Sequence, residues 1–130
     1  MKIDLTRTDV GAFNFEFLRL ISGQGVGAAE IGECIDTIAR IGKDDFDSWI
    51  TEWYRTATRV ALIGRQQLDR GDTVAGRGTL LRAANYFRAA EFYATPDDPR
   101  QHDAWQRSRE CFATAAPLLP YPPEPVAIPF

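Results

Sequence analysis

Apolar residues recur along the first 95 positions at helical spacing, and no proline interrupts them before Pro96. Phe13, Phe17, Leu20 and Ile21 stand at i, i+4, i+7 and i+8, one side of a helix that Gly23 stops. Ile31, Ile35, Ile38 and Gly42 repeat the spacing, with Glu30, Glu33 and Arg40 left for solvent, so a second helix is predicted from about Ala28 to Ile41. Asp44, Asp45, Asp47 and Ser48 then supply the side-chain acceptors and negative charge that suit a helix start. The third helix carries Trp49, Trp53, Ala57, Val60 and Gly64 on one stripe, flanked by Ile50, Tyr54, Ala61 and Leu68. Glu52, Arg55, Arg59 and Arg70 lie opposite, and Gly71 ends it. From Thr73 to Ala94 apolar residues crowd nearly the whole circumference, the pattern of a central helix covered on more than one side. Asp98 and Pro99 form the N-cap and first position of a fifth helix, marked by Trp105, Ser108, Phe112 and Ala115 and ended by Pro117.

The predicted fold is therefore all-α: about five helices in an antiparallel bundle over residues 1–116, followed by an extended proline-rich segment over 117–130. Six of the eight prolines fall in that segment, and Val126, Ala127, Ile128 and Phe130 resemble the beginning of a strand with no partner in this chain. The segment reads as a linker toward a second domain. A length of 130 residues fits one domain, and 45% hydrophobic with 25% charged residues is ordinary globular composition. A net charge of -3 provides no positive field for phosphates or anionic lipid, so neither nucleic acid nor membrane is an expected partner. Asp4, Arg7, Asp9, Glu16 and Arg19 interrupt any apolar leader, and Cys34 and Cys111 read as small buried residues in a reducing compartment. A cytoplasmic location follows as the expectation, without metal or cofactor.

The chain offers little for catalysis. Its one histidine, His102, sits beside Asp103 in the first turn of the fifth helix, where sequence neighbours cannot form an orienting triad. Ser22, Ser48 and Ser108 lack the G-x-S-x-G setting of an exposed nucleophile. Gly23-Gln-Gly25-Val-Gly27-Ala28 matches G-x-G-x-x-A, but no strand pattern precedes it, and a link between helices explains it better. Asp45 and Asp47 hint at a calcium loop, yet Trp49 occupies the next ligand position and capping accounts for the acids. Trp49, Trp53 and Trp105 could form a stacking platform, although their spacing favours core. Arg82, Tyr86, Ala89 and Tyr93 form the one chemically distinctive stripe, a guanidinium and two phenols on an otherwise apolar helix. Those polar tips either meet acids and carbonyls of neighbouring helices or face a ligand.

Four stretches resemble one family: Gly27–Glu33 (GAAEIGE), Asp47–Trp53 (DSWITEW), Arg82–Phe92 (RAANYFRAAEF) and Pro125–Phe130 (PVAIPF). Together they are similar to the N-terminal helical domain of α/β-hydrolases of the subgroup that includes 2,6-dihydroxypseudooxynicotine hydrolase, the fermentation-respiration switch protein and fungal hydrolases that shorten polyketide pigment precursors. The resemblance implies a lid over a serine hydrolase core, with the last segment leading into the first core strand. It further implies a parent that cleaves C–C bonds beside ketones, or ester or amide bonds, of a small aromatic or polyketide-like substrate. No catalytic residue can be carried over, because nucleophile, acid and histidine belong to the core, and this chain alone is expected to be inactive. Arg82, Tyr86 and Tyr93 become the candidates to face substrate. The expected partners are a hydrolase core, in cis or in trans, and a small molecule; self-association into a homo-oligomer stays open. The competing reading is a free-standing interaction module, since Ala83, Phe87 and Ala90 are similar to the small-large alternation of tetratricopeptide hairpins, although no 34-residue repeat is present. A third is a small aromatic-binding domain that uses the Arg82 stripe alone.

Overall fold

Residues 11–129 are described by a computed structural model, and they form five α-helices with no strand among them. Asp4, Arg7, Asp9 and Phe130 lie outside these residues. Helix α1 spans Gly11–Ile21, α2 Ile31–Ile38, α3 Phe46–Asp69, α4 Thr73–Phe92 and α5 Pro99–Ala115, with short 3₁₀ turns at Ser22–Val26 and Ala116–Leu118. Four of the five begin with a carboxylate that accepts backbone N–H groups left over by the first turn: Glu30 for α2, Asp45 for α3, Asp72 for α4 and Asp98 for α5. No helix among the described residues is long and apolar enough to cross a membrane.

Helix α4 packs along both α3 and α5, and the three-residue link between Asp69 and Thr73 reverses the chain tightly. Gly64 and Gly76 make the first of these contacts close. A methyl group added at Gly76 would sit 2.5 Å from Leu68 Cδ2 and 3.0 Å from the Gly64 carbonyl oxygen, and one at Gly64 would sit 2.9 Å from Leu80 Cγ. The predicted stripe of α3 is buried as expected: Trp49, Trp53, Ala57, Val60 and Gly64 face the small residues of α4, among them Ala83, Ala89 and Ala90. Trp49 Nε1 donates to the Ala89 carbonyl at 2.9 Å, in the last turn of α4 where carbonyls run out of helical partners. Trp53 Nε1 is buried without a hydrogen-bond partner among the described residues. Phe13 and Phe17 of α1 close one side of this core.

Two helix faces differ from the sequence expectation. Helix α2 starts at Ile31 because Glu30 is its cap, and it buries Cys34, Thr37 and Ile38 while Ile31 and Ile35 stand exposed. Thr37 then shares a buried hydroxyl bond of 2.7 Å with Thr56 of α3, and Arg40, expected in solvent, pairs with Asp36 and Glu52 and reaches Thr56. On α5 the buried residues are Ala104, Cys111 and Ala115, so Trp105 and Phe112 are surface residues and only two of the three tryptophans are core. Beyond Leu118, whose carbonyl accepts from Arg77 Nη1, residues 119–129 contain no helix or strand, and Val126 and Ile128 are exposed.

Trp53→Ala should lower stability in urea melts by about 3–5 kcal/mol, whereas Arg55→Ala, at an exposed side chain of the same helix, should stay within about 0.5 kcal/mol. Gly76→Ala should cost about 1–3 kcal/mol because the added methyl meets the Gly64 carbonyl as well as a movable leucine. Equal melting midpoints for Gly76→Ala and the unaltered chain would mean that α3 and α4 do not cross where described.

Candidate functional site

Once α4 is buried against α3 and α5, its polar residues are left to the edge that faces α2 and the loop before it. Three of them, Arg82, Asn85 and Tyr86, hold the segment Ala28–Glu33. Arg82 donates from Nε and Nη2 to the Glu33 carboxylate at 3.1 and 3.4 Å. Tyr86 donates its hydroxyl proton to Glu33 Oε2 at 2.8 Å and accepts the Glu30 N–H at 2.8 Å. Asn85 donates to the Ala28 carbonyl at 2.9 Å. Glu33, expected on the solvent side, is thus turned inward, with 17% of its side chain exposed. Its inward turn goes with the donors that α4 presents there, Arg82 and Tyr86, and residue spacing within α2 alone carries no signal for it.

The chemistry of this seam is that of a structural lock. Burial first, then the neighbouring thiol and Glu33, hold the Tyr86 phenol well above its ordinary range, so it keeps its proton and acts as a donor. Burial also pushes the Cys34 thiol up to about 11, and it lies 3.8 Å from the Tyr86 hydroxyl. Hydrogen bonds from the Gly32 and Glu33 amides hold the Glu30 carboxyl below its usual value. Tyr93 belongs to a different place. Seven residues beyond Tyr86 on the same stripe, roughly 10 Å along the axis, it packs among Phe13, Phe46, Trp49 and Phe92 at centroid distances of 5.0–5.4 Å. The structure therefore brings Arg82 and Tyr86 together at Glu33 and leaves Tyr93 in an aromatic cluster against α1.

A cavity of about 320 Å³ opens between α1 and α4, one turn from this seam, with Leu20, Trp49 and Ala89 at its floor. Glu16 and Arg19 of α1 and Asn85, Arg88 and Phe92 of α4 form its walls. The residue spacing does not reveal this group: its members come from three helices whose mutual placement a one-helix period does not encode, and the Arg88–Phe92 spacing of one helical turn is the hint the sequence holds.

None of the three serines is poised as a nucleophile. Ser22 donates to the Arg19 carbonyl at 2.7 Å, Ser48 to Asp45 at 3.0 Å and Ser108 to Ala84 at 2.8 Å, while His102 is exposed and stacks on Trp105. The glycine-rich stretch forms the 3₁₀ turn Ser22–Val26, closed by Gly27 at φ 75°, and follows a helix as the periodicity indicates. Asp45 caps α3, and Asp47 pairs with Arg100 at 2.6 Å.

Comparison with known proteins places the chain beside fungal hydrolases. It is 40% identical over 109 residues to the hydrolase acrC of Aspergillus aculeatus, covering 82% of this chain and 26% of that protein. The 20-hydroxy-prefusarin hydrolase of Gibberella moniliformis is 38% identical over 109 residues, with the same two coverages. The α/β-hydrolase pydG of an Acremonium species is 35% identical over 107 residues, covering 82% of this chain and 25% of its own. The resemblance read from the motifs is thus a sequence relationship that runs through most of the chain: it is homologous to a segment of fungal hydrolases, several of them named α/β-hydrolases. The chain spans about a quarter of the length of the curated relatives it matches. No protein-family profile and no solved structure matches it.

Arg82→Ala strips a mostly enclosed carboxylate of two of its donors and should destabilise the domain by about 1–3 kcal/mol in urea melts. Tyr86 gives a pH signature. Its pKa is raised on folding, so above the ordinary value of 10.0 the unfolded chain loses this proton while the folded chain keeps it, and stability falls as pH rises past that point. Tyr86→Phe should flatten the fall in melting temperature above about pH 10, and an unchanged alkaline slope would mean that Tyr86 titrates freely.

Proposed function

We propose that this chain is the helical lid of a serine α/β-hydrolase and that it covers the mouth of a hydrolase core supplied in cis or in trans. The observation that carries the reading is the pairing of two facts: four-fifths of the chain aligns with a quarter of each hydrolase, and the aligned bundle holds no serine aimed at a base. In such enzymes the bond-breaking groups then reside outside this segment, and the bundle's contribution is to bind, orient and exclude water. Exclusion of water strengthens an oxyanion hole and protects an acyl intermediate, which suits cleavage of C–C bonds beside ketones or of ester and amide bonds. The substrate class in this reading is a small aromatic or polyketide-like molecule, and the setting is cytoplasmic.

Within the lid, the expected substrate-facing residues divide by their surroundings. Tyr86 is wholly enclosed and would act as a positioning residue through Glu33 and the Glu30 amide. Arg82 has Nη1 outside its bonds to Glu33, and Tyr93 is half-buried, so these two are the members of the stripe able to reach a ligand.

The test is a segment exchange in the Aspergillus aculeatus hydrolase. Replacement of the matching quarter by this chain should preserve hydrolysis of a p-nitrophenyl ester, whereas deletion of the quarter should lower kcat/KM by about tenfold or more, a loss of roughly 1.4 kcal/mol per decade. The isolated chain should remain unlabelled by a fluorophosphonate probe. A deleted enzyme as active as the intact one, or stoichiometric labelling of Ser22, Ser48 or Ser108, would remove the lid assignment.

A further inference from the structure

The cavity between α1 and α4 holds more positive charge than its one acid balances. Arg19 pairs with Glu16 at 3.1 Å, but Arg88 has no carboxylate within ion-pair distance among the described residues. Both cations converge on one ring instead: the guanidinium carbons of Arg19 and Arg88 lie 5.4 and 5.7 Å from the centroid of Phe92, which is 42% exposed. A cation over an exposed ring gains only about 0.5–1 kcal/mol, so with Glu16 engaged by Arg19, Arg88 is left without an opposite charge among the described residues. The chain as a whole is acidic, which makes a local cationic excess a feature of this site rather than of the surface at large.

The remaining lining sets what kind of anion fits. Leu20 and Ala89 present hydrocarbon at the floor, and the Trp49 indole N–H is taken by the Ala89 carbonyl, so that side chain presents only ring surface. Among the described residues the Asn85 side chain makes one hydrogen bond, from Nδ2 to the Ala28 carbonyl. A volume of about 320 Å³ lies at the small end of ligand cavities, which run from roughly 300 Å³ upward. A fully hydrated inorganic anion would leave the apolar floor and Phe92 unused, and an aliphatic acid would leave the ring unstacked.

We propose that this cavity binds a planar aryl carboxylate of one or two fused rings. Its ring lies against Phe92 over the Leu20, Trp49 and Ala89 floor, and its carboxylate is held by charge-assisted hydrogen bonds from Arg88 and Arg19. The site goes beyond the lid reading, because it stands on the cavity alone and needs no hydrolase core.

The experiment is a calorimetric titration of the full chain at pH 7 with 2-naphthoate and, in parallel, with the uncharged 2-naphthalenemethanol and the non-aromatic cyclohexanecarboxylate. Naphthoate should bind saturably, and each of the other two at least about tenfold more weakly. Arg88→Gln should weaken naphthoate by about tenfold, leave the alcohol unchanged and keep the melting temperature, since Arg88 is a surface side chain. Phe92→Ala should weaken both aromatic ligands, and Arg59→Gln, exposed on α3 away from the cavity, should weaken neither. The proposal is overturned if naphthoate binds no better than the alcohol or cyclohexanecarboxylate, if Arg88→Gln binds it as well as the unaltered chain, or if Arg59→Gln weakens it equally.

Discussion

Helices α3 and α4 meet with two glycines at their crossing, and that closeness dictates where every other group goes. With Gly64 and Gly76 lacking side chains, the two backbones approach until Leu68 and Leu80 fill the space that methyl groups would need. The bulky aromatic residues lie at the other end of the contact, where Trp49 and Trp53 pack with the alanines of α4. Because α5 covers a further side of α4, only narrow edges of that helix stay open. Polar side chains on those edges meet α2 on one side and α1 on the other, with Tyr86 enclosed, Arg82 and Asn85 half-buried and Arg88 exposed, and each needs partners for its donors.

The two edges meet that demand differently. Toward α2, Arg82, Asn85 and Tyr86 find a carboxylate, a carbonyl and an amide, and the group closes on itself with Glu33 accepting from two side chains. A closed network of this kind fixes geometry, since removal of any member leaves a partner without a bond in a poorly hydrated place. Toward α1, Arg88 finds among the described residues a ring face that it shares with another cation. Among the described residues the arginine of one edge has a carboxylate partner and that of the other has none, although both belong to the same helix and lie about a turn apart. That difference separates architecture from binding capacity in this bundle more clearly than residue type does, because arginine occupies both.

Much of the bundle was legible in the residue order, for reasons that differ by helix. The stripe of α3 repeats over 24 residues, long enough for its period to fix its inner face, and the acids at Asp45 and Asp98 mark starts that the structure keeps. Helix α2 has eight residues, too few for its period to fix the inner face, and Cys34, Thr37 and Ile38 are buried while Ile31 and Ile35 stand exposed. The face of α5 misled because its large aromatics, Trp105 and Phe112, are outside while alanines and Cys111 provide the contact, as the narrow space beside α4 requires. The stripe of Arg82, Tyr86 and Tyr93 is real as a line on the helix. Its two ends face different neighbours, which a one-helix projection cannot reveal. The cavity walls were illegible for the same reason.

The order of elements along the chain carries a kinetic consequence. Helices α3, α4 and α5 are consecutive, joined by short links, and contain nearly all of the interhelical packing, so their contacts close small loops and can form early. Helix α1 attaches through one face, Phe13, Phe17 and Leu20, and α2 through the Thr37–Thr56 pair and the Glu33 group. These two are the elements expected to dock last and to open first in native-state hydrogen exchange. Since Glu16 and Arg19 are carried by α1, the cavity exists only after that late step, and its mouth widens whenever α1 lifts from a three-helix body that stays folded beneath it.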